Sequence, residues 1–262
     1  MSAFITQYSD KYYTEIQELL KKDIHGNTYL LCDLEDENLR HNFRLFLDDN
    51  KLRSLLFHIN DVDFNIFWIY GYYGSDKLLE NIKSKKFIII AESEHRKLLS
   101  ETYKNSKIYE EITMFLSNVG SFDIPGDINV RQIKKNEYSL LADTLNDGKH
   151  DKIYYMNKAK LKLKNNSVYG YFINNKIVSI AAIDVMSKYG CAIGGVYTLL
   201  EYRNKGYARS VISKIIQNCI IKNNITLFVR KDNYPAIKLY NSMGFKNNSE
   251  RIFVDNGTGV VP

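Results

Sequence analysis

Ala208, Val211, Ile212, Ile215, Ile216, Cys219 and Ile220 recur at spacings of three, one, three, one, three and one. This is one apolar stripe at helical period, with Ser210, Ser213, Lys214, Gln217 and Asn218 on the opposite face. It predicts an amphipathic helix running to about Lys222. Upstream, the apolar run from Cys191 to Thr198 predicts a strand. Val168 to Ile173 and Ile177 to Val185 predict two more, joined at Asn174-Asn175-Lys176 by a tight hairpin turn. Ser187 to Gly190 makes the turn into the next strand. Ile128 to Ile133 alternates weakly and predicts a first strand. Tyr138, Leu141 and Leu145 share one face of a helix over 136–146, and a second helix is expected over 152–163. Downstream come a strand at Ile225 to Val229, a helix at Asn233 to Ser242, and two short strands near Phe245 and over 252–254. Pro235 suits the first turn of its helix, where a missing N–H does little harm. The tail over 255–262 is expected to be irregular.

The N-terminal half also alternates. Helices are expected over 10–22, 28–48, 76–82 and 95–103, and strands over 53–58, 65–72, 87–91 and 108–116. That alternation predicts a second α/β domain. Pro125-Gly126 breaks local structure, so the boundary is expected within Ser121 to Asp127. The domains are then 1–126 and 127–262. The fold class expected is α/β of mixed, α+β type, a central mixed sheet flanked by helices.

The 262 residues are enough for two modest domains, and 45% hydrophobic with 13% aromatic residues allows a sizeable core. No run of 18 apolar residues occurs, so no membrane span or membrane partner is expected. Met1 to Asp23 has no signal-peptide core. Cys32, Cys191 and Cys219 are too few and too scattered for a disulfide frame or a zinc site, and reduced thiols in a cytoplasmic protein are expected. The net charge of +6 is unevenly placed. Residues 1–125 hold 15 Lys and Arg against 20 Asp and Glu, and residues 126–262 hold 21 against 10. A basic half suits a polyanionic ligand. Nucleic acid is the competing polyanion, but the lysines are dispersed and no nucleic-acid motif appears, so no such partner is expected. Lys158, Lys160, Lys162 and Lys164 spread round a helix and read as a solvated face.

The chemistry concentrates in Arg203-Asn204-Lys205-Gly206-Tyr207-Ala208, between the Cys191 strand and the stripe helix. A glycine at a helix N-terminus leaves room, and the free N–H groups there suit a phosphate or pyrophosphate. Arg203, Lys205 and Arg209 add positive charge. The loop matches neither G-x-x-x-x-G-K-[ST] nor G-x-G-x-x-G. Arg203-x-x-Gly206-x-Ala208, preceded by Val196-Tyr197-Thr198, resembles the acetyl-CoA pyrophosphate loop of the GNAT family of N-acetyltransferases. A second block has the family's order and spacing: Asn233, Ala236, Tyr240, then Gly244-Phe245. The likeness covers roughly 127–262. It offers the N-terminal half a reading as a degenerate copy of the same fold, although no second Arg-x-x-Gly-x-Ala loop occurs there.

The resemblance implies transfer of acetyl from acetyl-CoA to a primary amine of a small molecule or peptide, with no metal. The amides of Asn204, Lys205, Gly206, Tyr207, Ala208 and Arg209, with Arg203, would hold the pyrophosphate. The backbone of Val196, Tyr197 and Thr198 would pair with the pantetheine arm, and the Val196 N–H would stabilise the developing oxyanion. Tyr240 matches the tyrosine that protonates the leaving thiolate. Asn233 matches a position that contacts the CoA arm or orders water. The pattern departs at the base. Cys191-Ala192-Ile193-Gly194-Gly195-Val196 carries no carboxylate, and the nearest in sequence are Asp184, read as a solvent-facing strand end, and Glu201. A non-catalytic acyl-CoA-binding module is therefore the alternative. A homodimer stays open. Glu92-Ser93-Glu94-His95 fits no metal spacing and reads as a helix cap with exposed acids.

Overall fold

The hydrophobic alternation of the chain builds sheets, and the helical stripes cover them. A computed structural model describes residues 3–60, 64–117, 127–219 and 224–258. The expected boundary from Ser121 falls almost wholly outside these residues, as do the expected end of the stripe helix beyond Cys219 and the last residues of the tail. The strands are β1 (Phe4–Gln7), β2 (Phe43–Asp48), β3 (Lys51–Asn60), β4 (Asn65–Tyr70), β5 (Phe87–Glu92), β6 (Lys107–Ser117), β7 (Val130–Gln132), β8 (Ser167–Ile173), β9 (Lys176–Ser187), β10 (Gly190–Thr198), β11 (Asn224–Arg230) and β12 (Lys246–Asn256). The helices are α1 (Tyr13–Leu20), α2 (Thr28–Glu35), α3 (Ser75–Leu79), α4 (Arg96–Thr102), α5 (Tyr138–Leu145), α6 (Lys152–Asn165), α7 (Tyr207–Cys219) and α8 (Tyr234–Ser242).

Two compact units form, and neither is contiguous. One gathers 1–114, 228–237 and 247–262, and the other 115–227 and 238–246. In the first, the strand order is β1-β2-β3-β4-β5-β12-β6. β4 and β5 are parallel, while β12 runs antiparallel to β5 with Ile252 opposite Ala91 and Val254 opposite Ile89. Phe46, Phe67, Ile69, Leu78, Ile89, Leu99 and Ile252 share its buried core. Trp68 and Phe228 both stack on Tyr29, with centroids 5.6 Å away in each case.

In the second unit the order is β11-β10-β9-β8-β7. Here β10 and β11 are the parallel pair and the rest are antiparallel. α5 and α6 seal the core through Leu141, Tyr155, Ala159 and Leu163 against Val168, Ile177 and Ile180. The stripe of α7 is wholly buried at Val211, Ile212, Ile215, Ile216 and Cys219. Burying five such side chains removes most of their apolar area from water, at roughly 1.5–3 kcal/mol for each of the larger ones.

The element order β-α-α-β-β-β-α-β-α-β occurs twice, from β1 to β6 and from β7 to β12. Both α/β halves expected from the sequence are present. Four local expectations are corrected. The helix expected over 28–48 stops at Glu35, because Asp36 turns to extended backbone (ψ 110°) and its carboxylate accepts the Asn38 N–H at 2.9 Å. Phe43–Asp48 then becomes β2, with Phe43 opposite Phe57. The two short strands expected near Phe245 and over 252–254 are one long strand, β12, which also takes in Asp255 from the tail. β1 is an additional strand that its short, half-polar sequence does not announce. The Glu92–His95 acids are not all exposed: Glu92 is half-buried and accepts the Gly71 N–H at 2.7 Å, while His95 is fully buried.

Candidate acetyl-CoA site

β10 changes character half-way along. Its ladder with β11 ends at Ile193 opposite Leu227, whereas its ladder with β9 continues to Thr198 opposite Ser179. Between Gly194 and Tyr197 the register slips, so that Gly195 and Val196 oppose the single residue Ala181. This is a β-bulge, which takes a backbone group out of the ladder and bends the strand. Gly195 supplies the positive φ (+57°) that the bend requires. The expected Val196–Thr198 segment therefore sits on a strand whose β11-side ladder has ended, with Val196 in the bulge itself.

The loop follows directly. Leu200–Tyr202 form a 3-10 turn, and Arg203 returns to donate from Nε to the Thr198 carbonyl at 3.2 Å. Lys205 donates to the Glu201 carbonyl at 3.1 Å, and Lys176 pairs with the Glu201 carboxylate at 3.2 Å. A hydrogen bond from its own backbone first, and Lys176 second, hold the Glu201 carboxyl below its ordinary range. Asn204 and Gly206 both take positive φ, +61° and +83°. A Cβ at Gly206 would meet nothing within 4 Å, so its glycine is required by backbone conformation and leaves open space above it.

α7 begins with the bond from Ser210 N–H to the Gly206 carbonyl at 3.1 Å. The N–H groups of Tyr207, Ala208 and Arg209 precede it and have no acceptor within the helix. They combine with the positive end of the helix dipole and the exposed Arg203, Lys205 and Arg209. This donor set, opening on empty space, fits a pyrophosphate. Arg209 is also tied to Ser242 of α8 at 2.5 Å, and the Tyr207 ring lies 4.3 Å from that of Tyr171.

Tyr240 lies on α8 and is 5% exposed, its ring 5.9 Å from that of Phe245. Burial pushes its phenol up to about 12, so it is protonated throughout the physiological range. Asn233 caps α8: its side-chain oxygen accepts the Ala236 N–H at 3.3 Å and its carbonyl the Ile237 N–H at 3.1 Å. An Asn one residue before Tyr234-Pro235 is itself an N-terminal signal that was readable in the sequence.

Asp184 is not a strand end. It lies within β9, half-buried, and the Asn166 amide donates to its carboxylate at 3.4 Å. A Cβ at Gly194 would overlap that carboxylate, and one at Gly195 would come within 2.6 Å of the Lys162 ammonium. The Gly194-Gly195 pair thus admits an acid and a base directly over the bulge. In the sequence Asp184 is only a near neighbour of the loop and Lys162 one of the lysines of a solvated face; the signal for their approach is the pair of adjacent glycines, which leave space for side chains from elsewhere. Among the described residues no cluster of His, Cys, Asp and Glu could hold a metal, and no helix is long and apolar enough to cross a membrane.

The first unit has a counterpart to the loop. Gly74 precedes α3 as Gly206 precedes α7, with φ +76°. There, however, a Cβ would overlap the Phe46 ring, and α3 has only five residues. The space that is open above Gly206 is occupied above Gly74.

Residues 168–254 match the family model of the FR47-like proteins. Among solved structures, a GCN5-related N-acetyltransferase from Sphaerobacter thermophilus is similar at a TM-score of 0.62 and 12% identity, over 99% of this chain and 98% of that one. A tandem GNAT protein from the clavulanic acid biosynthesis pathway is similar at 0.60 and 8% identity, over 99% and 100%. The fold is a tandem GNAT fold. A GCN5-related N-acetyltransferase-like protein from Streptococcus suis shares it at 0.62 and 15% identity, over 94% and 98%. No curated protein matches by sequence. The two repeats of that fold differ at their loops in the space above Gly206 and Gly74.

Proposed function

We propose that this protein transfers an acetyl group from acetyl-CoA to a primary amine by direct attack. The observation that carries the reading is the Gly206 loop, with its positive φ, open space, three uncommitted helix N–H groups and surrounding cations. Acetyl-CoA supplies an acetyl thioester. The amides of Asn204 to Arg209 and the Arg203 side chain hold the pyrophosphate, and the outer backbone edge of Val196–Thr198 pairs with the pantetheine amides. The Val196 N–H, displaced from the β9 ladder by the bulge, donates to the carbonyl oxygen as it gains negative charge. The Tyr240 phenol, protonated at neutral pH, delivers a proton to the departing sulfur, while the proton that the amine nitrogen sheds passes to water, which returns one to the phenolate.

The alternative is a module that binds acyl-CoA without turnover. Its support is that β10 carries no carboxylate. The test is free-thiol release from acetyl-CoA across a panel of primary amines. Release with at least one amine supports transfer. CoA binding without release from any amine supports the binding module. Absence of CoA binding removes both.

A further inference from the structure

Cys191 and Cys219 are 28 residues apart in the sequence, and the fold brings them into contact. The crossover between the parallel strands β10 and β11 is the reason. Cys191 stands at the start of β10, which carries the chain away. α7 brings it back over 13 residues, roughly 20 Å of helix, and ends at Cys219. In β11, Ile225 is already opposite Cys191. The end of the helix therefore returns to the start of β10. Cys219 is also the last buried member of the apolar stripe, so its side chain turns inward.

Both side chains are fully buried, and their Sγ atoms stand 2.8 Å apart. Both residues carry free thiols. Sulfurs in contact can be joined by adjusting the side chains, without the backbone movement that distant cysteines need. The two belong to the second compact unit, whereas Cys32 lies in α2 of the first.

We infer that Cys191 and Cys219 form a site of oxidative cross-linking, closed into a disulfide by a small hydroperoxide. One thiol reacts first. The O–O bond of hydrogen peroxide breaks, one oxygen goes to sulfur as a sulfenic acid, and the other leaves as water with the thiol proton. The second sulfur then attacks the first. The S–O bond breaks, the S–S bond forms, and the hydroxide leaves as water with the second thiol proton. Two thiols have lost two hydrogens, and one peroxide has become two waters. Entry is from the C-terminus of α7, because helix ends open at the least cost and Cys219 is its last residue.

The loop that this bond closes contains the bulge at Gly195 and Val196, the Thr198 carbonyl that holds Arg203, the Gly206 turn and all of α7. A cross-link at its base removes unfolded conformations in which the loop is open. The N–H groups at the other end of α7 are untouched. The inference stands whether or not the chain transfers acetyl.

The test uses the full chain. One sample is treated folded with hydrogen peroxide, and another is refolded in a mixture of reduced and oxidised glutathione. Each is denatured in N-ethylmaleimide, digested and analysed by mass spectrometry. The expected result, by either route, is a peptide pair joined through Cys191 and Cys219, two hydrogens lighter than its reduced parts and separated by dithiothreitol. The linked protein should melt at least about 4 °C above the reduced one, and dithiothreitol should reverse the rise. Cys219→Ser should abolish both the link and the rise. Cys32→Ser should keep both, which holds the test open where the first variant does not fold. N-ethylmaleimide on both Cys191 and Cys219 in every sample overturns the proposal. So does a link made to Cys32 instead.

Discussion

The Asp184 carboxylate occupies the space directly above Gly194. The two residues lie on neighbouring strands, β9 and β10, one residue before the bulge begins. Any side chain at position 194 must therefore displace Asp184 from Asn166. Because the displaced atoms are the end of a short flexible chain, the displacement is affordable. We expect Gly194→Ala to destabilise the protein by about 1 kcal/mol, and Asp184→Ala to cancel part of that loss, with a coupling of about 0.5–3 kcal/mol in the double-mutant cycle. Urea midpoints of the four proteins measure it; strictly additive changes would show that the carboxylate does not fill that space.

Gly206→Glu should abolish CoA binding. It adds a negative charge where three helix N–H groups and three cations converge, and it imposes φ +83° on a residue that resists it. Gly206→Ala carries much of the backbone strain without the charge, and should weaken binding less. Calorimetry with CoA on both variants separates the two effects. Unchanged affinity in Gly206→Glu would move the phosphate site elsewhere.

Tyr240→Phe should lower kcat by ~10²–10⁴-fold while leaving CoA affinity within about threefold, since the phenol proton is needed only as the thiolate leaves. With the phenol near 12, Tyr240 itself should give no alkaline decline in rate below about pH 11. An equal rate in the variant, with chemistry limiting, returns Tyr240 to packing alone.

Acid sensitivity should centre on Asp23. Burial raises its pKa, but Arg251 and the Gly26, Ser249 and Asn248 donors outweigh burial and leave the carboxyl below its ordinary value. The Arg251 guanidinium, 4% exposed, contacts it at 2.7 Å. A depressed folded pKa gives stability that is present above the unfolded value near ~3.9 and lost as pH falls through the lower, folded value. Asp23→Asn should remove that part of the acid dependence. At neutral pH it should cost ~3–5 kcal/mol by leaving Arg251 buried and unpaired. Melting temperature against pH for both proteins reports the difference. Parallel curves would exclude Asp23 as the titrating group.

Much of this was legible in the chain because local signals carried it. The α7 stripe states its own period, and Asn174 and Asn175, both at positive φ, form the hairpin turn their types favour. What was not legible depended on distant partners. Residues 43–48 are apolar enough for helix or strand, and only Phe57 and its neighbours in β3 decide between them. Asp184 is set apart only by Gly194 beneath it on the neighbouring strand. The apolar run of β12 names no partner, and its actual neighbour, β5, lies in the other half of the sequence.

A fragment of residues 127–262 should accordingly fail to fold as an isolated domain. β12 would lose the register partners 87–92, exposing a long edge whose residues Ile252, Phe253 and Val254 are buried in the full chain. Size-exclusion chromatography and circular dichroism of the fragment check this. A monomeric, cooperatively melting fragment would show that β12 can be satisfied within its own half.

The pairing of β12 with β5 also sets a clock on synthesis. The partner of Glu92, Arg251, is made 159 residues after it (251 − 92). The first unit can collapse around α1, α2 and β1 to β5, yet one flank of β5 must wait until β12 is made. During translation, at ~5–20 residues per second, that edge stands open for roughly ten seconds or more. Nascent chains stalled before β12 should therefore be the ones that chaperones hold.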